Sequence, residues 1–420
     1  MQTPNNPKNA IVIIGMLFFI FGFVTWLNGT LIPFLKLACE LETDIEAFFV
    51  TFAFYMAYFF LAIPSSMILK RTGFKNGMAL GLFVMALGSL VFIPAANTRT
   101  FGLFLTGLFI QGMGLALLQT ASNPYISIVG PIESAAQRIS IMGICNKVAG
   151  MLSPVILGAL VLKNAGELQE KITAATDATT KENLLNELAG RAITPYIIMA
   201  VILVLLAIMI KRSSLPEIEM GKEEVSSTSV EKKSVFQFPH LLLGVLCLFL
   251  YVGVEVMAGD AIGAYGRQLG MPLDETKYFT TFTLAAMLVG YIIGIFTIPK
   301  YVTQQKALAI SAVLGIIFSI AVFVTNGYVA ISFIALLGLA NALMWPAIFP
   351  LAIDGLGKFT KTGAALLIMG IAGGAIFPLL YSTLKDKGIL SNQVSFLVCM
   401  LPAYLYILFY AVKGFAAGKK

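Results

Sequence analysis

Charge is what this 420-residue sequence has least of. Only 12% of its residues are Asp, Glu, Lys or Arg, about half the share carried by soluble domains. That excludes an ordinary water-soluble globule. Histidine is nearly absent: His240 stands alone, at the edge of an apolar block, and reads as an interfacial residue rather than a catalyst. There are four cysteines, Cys39, Cys145, Cys247 and Cys399, scattered with no CxxC or metal-ligand spacing. A disulfide framework and a metal centre are therefore not expected. No HExxH or GxSxG occurs either, so a membrane enzyme lacks its nucleophile, base or metal, and no catalytic residue and no cofactor are expected.

What the sequence has instead is apolar residues, 58% of the chain, in long blocks. About 20 apolar residues cross the hydrocarbon of a bilayer as a helix. Twelve such blocks run at about 11–35, 46–69, 76–96, 100–127, 138–162, 192–210, 240–266, 278–298, 306–325, 327–353, 362–384 and 394–413. Backbone groups in lipid must bond internally, so the blocks are helices. The fold class expected is an all-α membrane protein of twelve transmembrane helices in two six-helix halves. The first block is too long for a signal peptide and runs on through Trp26, Asn28 and Pro33, so it is read as a retained helix.

The net charge of +7 follows topology. With both termini cytoplasmic, inner loops and tails hold 17 of the 28 Lys and Arg and outer loops 10, while the acids divide 7 inside and 12 outside. That is the positive-inside bias, so no nucleic-acid partner is expected. A bacterial inner-membrane protein acting as a monomer is.

Residues 212–238 are rich in Ser, Glu and Lys and read as a flexible cytoplasmic linker. They join an N-terminal half, 1–211, to a C-terminal half, 239–420. A charged outer loop at 163–191 reads either as solvated chain or as a partial surface helix. The halves echo each other. Gln119 precedes Asn123-Pro124 on the fourth helix as Asn341 precedes Trp345-Pro346 on the tenth, and "GMLSP" (150–154) on the fifth matches "GAIFP" (374–378) on the eleventh. Parallel repeats with polar residues near the midplane fit a secondary transporter whose halves rock around a central site.

Polar side chains in lipid are costly and face a bundle interior or a wet cavity. The candidates are Thr25, Trp26 and Asn28 on helix 1; Gln119 and Asn123 on helix 4; Asn146 and Lys147 on helix 5; Glu255 and Asp260 on helix 7; and Asn341 and Trp345 on helix 10. Amides both donate and accept, as sugar hydroxyls require, and a flat indole suits the C–H face of a pyranose. Amides, tryptophans and few charges make a pocket for a neutral polyol. The alternative for the amides is helix-to-helix bonding, and for Trp26 and Trp345 it is packing. Tyr55, Phe52 and Tyr58 on helix 2 read as packing. Pro124 and Pro346 free backbone groups and kink their helices. Glu255 is a candidate for substrate contact or for carrying a proton, or else the partner of Lys147 in a buried pair. Asp354, near Lys358 and Lys361, reads as a topology or gate contact.

The motifs "WLNGTLIPFLK" (26–36), "LLQTASNPYISIVGP" (117–131), "YVGVEV" (251–256) and "MWPAIFPLAIDGLG" (344–357) resemble the fucose–galactose–glucose symporters of the major facilitator superfamily, over most of both halves. The resemblance implies twelve helices, a central sugar site and alternating access, often coupled to a cation, here sodium or a proton. Gln119 stands where the fucose-permease branch has a glutamate and matches the glucose/galactose branch. The loop "SSMILKRTGFKNG" (65–77) keeps the basic residues and glycine of the superfamily's inner-loop motif but not its aspartate. Two further positions depart. Asn28 is followed by Gly29 where the family usually has an aspartate, and Lys147 replaces a small neutral residue. Either the Lys147 ammonium stands in for a bound cation, or coupling has moved to helix 7, or the protein is a uniporter. A lipid or drug carrier of the same fold, or a non-transporting sensor, remains as a rival reading.

Overall fold

Apolar blocks that bond their own backbone should pack as helices that break only where something else satisfies the freed groups. The computed structural model, which describes residues 7–128, 135–213, 215, 234–298 and 300–419, has this form. No strand occurs among the described residues. The helices are α1 (Pro7–Thr25), α2 (Asn28–Ala38), α3 (Asp44–Thr98), α4 (Phe101–Ile128), α5 (Ala135–Val161), α6 (Ala165–Ala174), α7 (Ala178–Gly190), α8 (Ile193–Arg212), α9 (Pro239–Gly259), α10 (Ile262–Gln268), α11 (Leu273–Thr276), α12 (Phe279–Thr297), α13 (Gln304–Val324), α14 (Gly327–Asn341), α15 (Met344–Ile353), α16 (Thr360–Met369), α17 (Gly373–Asp386) and α18 (Asn392–Val412).

Eleven stretches are long and apolar enough to cross a membrane. One of them, α3, is two crossings joined at Gly73, whose φ of 74° breaks the helix. That conformation is open to glycine at little cost. The twelve crossings expected from the sequence are thus present. Much of the expected linker lies outside the described residues, as do Gly130 and Pro131 and the side chains of Pro124, Lys358 and Lys361.

Four crossings are not continuous helices. The first is interrupted between α1 and α2 at Trp26–Leu27, the seventh between α9 and α10 at Asp260–Ala261, and the tenth between α14 and α15 at Ala342–Leu343. The eleventh narrows to a 3-10 turn at Gly370–Ala372 between α16 and α17. The first crossing of each half is therefore broken, in keeping with the internal repeat. Pro346 has a direct part in the tenth: it has no N–H to offer the Ala342 carbonyl. In the seventh, Thr280 and Thr283 of α12 donate to the freed carbonyls of Gly259 and Ala258, each at 2.8 Å.

The charged outer loop forms two helices, α6 and α7, beyond the partial surface helix expected. Asp177 caps α7 by accepting the Thr180 N–H at 2.8 Å. Leu168, Ile172, Leu185 and Leu188 bury the inner faces of both.

The two halves meet chiefly through α3 with α17 and α5 with α12. On the face away from the termini the contacts are ionic. Asp44, at the start of α3, is 7% exposed and is bonded by Lys36 of its own half and by Lys385 of α17. Gln268 of α10 adds a bond at 3.3 Å, and Asp386 accepts the Ile45 N–H at 3.0 Å. Beside it, Gly166 donates to Asp274 at 3.2 Å and Lys277 to the Leu162 carbonyl at 2.9 Å. This face is latched shut.

Cys39, at the end of α2, reports on the latch. Burial pushes its thiol up to about 11, and only the thiolate reacts with maleimide. A variant keeping this cysteine alone should label roughly 10- to 100-fold more slowly than free cysteine near pH 8, with the rate climbing as pH approaches 11. Asp44→Asn should speed it by loosening the latch. Equal rates in both backgrounds would show that Asp44 does not hold this face closed.

Candidate functional site

The helix breaks place the polar residues. Trp26 and Asn28 flank the first, Asp260 lies at the seventh, and Asn341 and Trp345 flank the tenth. At the centre, Lys147 of α5 donates to Glu255 of α9 at 2.9 Å. The two side chains are 7% and 12% exposed. They belong to opposite halves, so the pair bridges the bundle's midline. The sequence had left substrate contact, proton transfer or a buried pair with Lys147 open for Glu255; in this state its carboxylate makes the pair. A buried ammonium needs such a partner.

Trp26 is the floor of the pair. The Lys147 ammonium lies 4.5 Å from its ring centroid, a cation–π distance. The indole fits because Gly150 and Gly259 have no side chains: a Cβ would come within 2.4 Å and 2.2 Å of ring atoms. Leu284, Met287, Tyr291 and Ala342 complete its surroundings. In this state the ammonium lies over the ring and the indole is packed. Four tyrosines, Tyr55, Tyr251, Tyr291 and Tyr404, bring hydroxyls within electrostatic reach of Glu255.

The amides divide. Gln119 donates to the Tyr58 hydroxyl at 2.9 Å, and Tyr58 stacks on Tyr55 with centroids 6.4 Å apart. Asn123 and Trp345, from opposite halves, line one cleft with Ile139, Pro346, Phe349 and Pro350. The cleft holds about 10 Å³, room for one water. Trp345 stacks on Phe349 at 5.8 Å and tilts over Tyr251 at 6.5 Å. Asn341 is fully buried and accepts the Tyr404 hydroxyl at 2.8 Å. Asn28 is fully buried beside Tyr55, and neither of its amide atoms makes a well-formed hydrogen bond. Asn146 is half-buried, and among the described residues its side chain makes no hydrogen bond.

Asp354 lies away from the site. Its carboxylate pairs with Lys419 of the C-terminal tail at 2.8 Å and its carbonyl meets His240 Nε2 at 2.9 Å. Sequence reasoning missed the tyrosines. Tyr251 stands four residues before Glu255, on one helical face, and that spacing was a usable signal. Tyr291 and Tyr404 carry none.

A sequence profile described as the Major Facilitator Superfamily matches residues 14–380. The chain belongs to that superfamily. Within it, the motifs and the relatives place it in the fucose–galactose–glucose symporter family. A glucose/galactose transporter of Brucella abortus biovar 1 is 33% identical over 408 residues, covering 96% of this chain and 94% of that protein. The L-fucose-proton symporter of Escherichia coli K12 is 28% identical over 365 residues, 86% of this chain and 83% of that one. The transporter FucP, solved in the outward conformation, superposes with a TM-score of 0.76 at 26% identity, covering 96% of this chain and 97% of that one. The major facilitator fold accounts for the paired halves, and the chain is a multi-pass secondary transporter.

Breaking the central pair from one side should be severe. Lys147→Met leaves a buried carboxylate uncompensated and should cost about 3–5 kcal/mol, read as a large drop in thermal unfolding midpoint in detergent. Adding Glu255→Gln to Lys147→Met should recover most of that loss. A double variant as unstable as the single would show that the pair does not explain the effect.

Proposed function

We propose that this transporter imports a neutral hexose, with glucose and galactose the first candidates, by alternating access coupled to a cation. The observation that carries the reading is that Asn123 from one half and Trp345 from the other line one cleft. When the halves part, an amide with its donors and acceptors and an indole face line one wet cleft, which suits a pyranose, and Gln119, one helical turn from Asn123, adds a second amide. The relatives named for glucose, galactose and fucose support the same class. Asn28, Asn146 and Asn341 are the further amides that the opened cavity would expose to the sugar.

In this reading both termini are cytoplasmic, which the basic residues of the linker side support, in a bacterial inner membrane. The Asp44 latch is then the periplasmic gate, and the state seen is closed to the outside. No cofactor is required; the coupling ion is sodium or a proton, and one chain suffices. A sugar uniporter is the second reading, favoured by Lys147, whose ammonium already fills the cation's place beside Glu255. The lipid- and drug-carrier readings fit the amides less well.

Uptake of radiolabelled glucose and galactose into proteoliposomes, with mannose, fucose and N-acetylglucosamine as competitors, tests the substrate class. Saturable uptake of a hexose supports the reading, and no uptake in intact, loaded vesicles contradicts it. Gln119→Ala should weaken sugar binding by about 1–3 kcal/mol through a lost buried hydrogen bond. Unchanged affinity would remove Gln119 from the site.

A further inference from the structure

Two carboxylates and one ammonium meet at the centre of the bundle. Glu255 has its ammonium, Lys147, at 2.9 Å. Asp260 has none. Its carboxyl is 1% exposed, and neither oxygen makes a well-formed hydrogen bond among the described residues. The groups that face it are Glu255 on α9, Lys147 on α5, Tyr55 on α3 and the backbone N–H of Gly29 on α2. Gly29 lets α2 close over this spot: a Cβ there would stand 2.3 Å from Thr280 Oγ1.

The charges do not balance as they stand. Glu255 and Asp260 contribute two negative charges and Lys147 one positive, which leaves one negative charge in a buried site. An unpaired carboxylate sealed from water is too costly to persist, so the site takes up one positive charge. Lys147 is already engaged by Glu255, which directs that charge to Asp260. A sodium ion needs several oxygen ligands. The Gly29 N–H and, farther off, the Lys147 ammonium face Asp260, and both are donors; among the described residues no group of three or more His, Cys, Asp or Glu side chains could hold a metal.

We propose that Asp260 is the seat of the coupling proton, loaded while the halves are closed over it. The inference rests on the cation-coupled reading above and names its ion and residue. In the closed state the carboxyl is neutral. When the halves part, the O–H bond breaks, the proton passes to water on the open side, and the carboxylate left behind is hydrated. The unloaded carrier closes with Asp260 ionised only in passing, and water on the other side reprotonates it before the next loaded closure. Asp260 lies at the break of the seventh crossing, so the motion that opens the bundle is the motion that wets it.

Isotope-edited infrared spectroscopy of the purified full chain, without sugar, tests this. The C=O stretch of a protonated carboxyl should be present, should shift with ¹³C-aspartate labelling, and should vanish in Asp260→Asn. A band that shifts only with ¹³C-glutamate would assign the proton to Glu255, and no such band at any pH would leave Asp260 ionised; either overturns the proposal. The parent chain alone answers through its labelling, whether or not the variant folds. In proteoliposomes under a proton gradient, the parent should concentrate its sugar, and Asp260→Asn should only equilibrate it. Accumulation by the variant equal to the parent's, or a parent driven by sodium alone, contradicts the proposal. Absence of uptake of every hexose tested would remove the substrate reading while the infrared band still decides Asp260.

Discussion

The Lys147–Glu255 pair is the constraint on which this bundle depends. It is a single ionic contact at 2.9 Å, nearly free of solvent, between helices of opposite halves. Two charges in a low-dielectric interior hold each other strongly, yet neither is comfortable there alone. The halves can therefore part at the centre only if water enters as they do. Trp26 beneath the ammonium and the tyrosines around the carboxylate extend this dependence to the first, second, seventh, eighth and twelfth crossings.

The pair works together with the Asp44 latch on the face away from the termini. There Asp44, Lys36, Lys385 and Asp386 balance their charges across the same interface. The break of the seventh crossing lies on the latch side of Glu255, and that of the eleventh packs beside Val245 and Phe249, on its other side. Broken helices give a bundle short rigid pieces with hinges between them, and they expose backbone groups that only protein or water can satisfy. The threonines of α12 satisfy those of the seventh crossing. The buried amide of Asn28 and carboxyl of Asp260, neither with a well-formed hydrogen bond, lie at the first and seventh breaks. A site built this way is packed when closed and polar when opened, which is what alternating access asks of it.

Much of this was legible in the sequence, because the bilayer imposes length and apolarity on every crossing. Twelve apolar blocks gave twelve crossings, and the rare polar residues inside them marked the centre. The break near Pro346 follows from a missing N–H. The breaks at Trp26 and at Asp260 do not, since no proline marks either position; at the seventh crossing the freed carbonyls are met by threonines of α12 that are distant in sequence. The pairing of Lys147 with Glu255 could be weighed but not decided, for 108 residues separate them. The amphipathic outer loop carried buried leucines at helical spacing, and its two helices follow from docking on the bundle rather than from propensity alone. Tyr55 and Tyr58 read as packing because tyrosine is common in cores; only their neighbours reveal hydroxyls turned to Gln119 and Glu255.

The most direct test is a distance measured across the latched face. Spin labels at Glu42 and Lys387, exposed residues on opposite halves, report its width by electron–electron double resonance. With the central pair intact, a short distance should dominate. In Glu255→Gln, where the ammonium loses its counter-charge, a longer distance should gain population. A distribution indifferent to the loss of that charge would contradict the claim that this one buried pair holds the halves together.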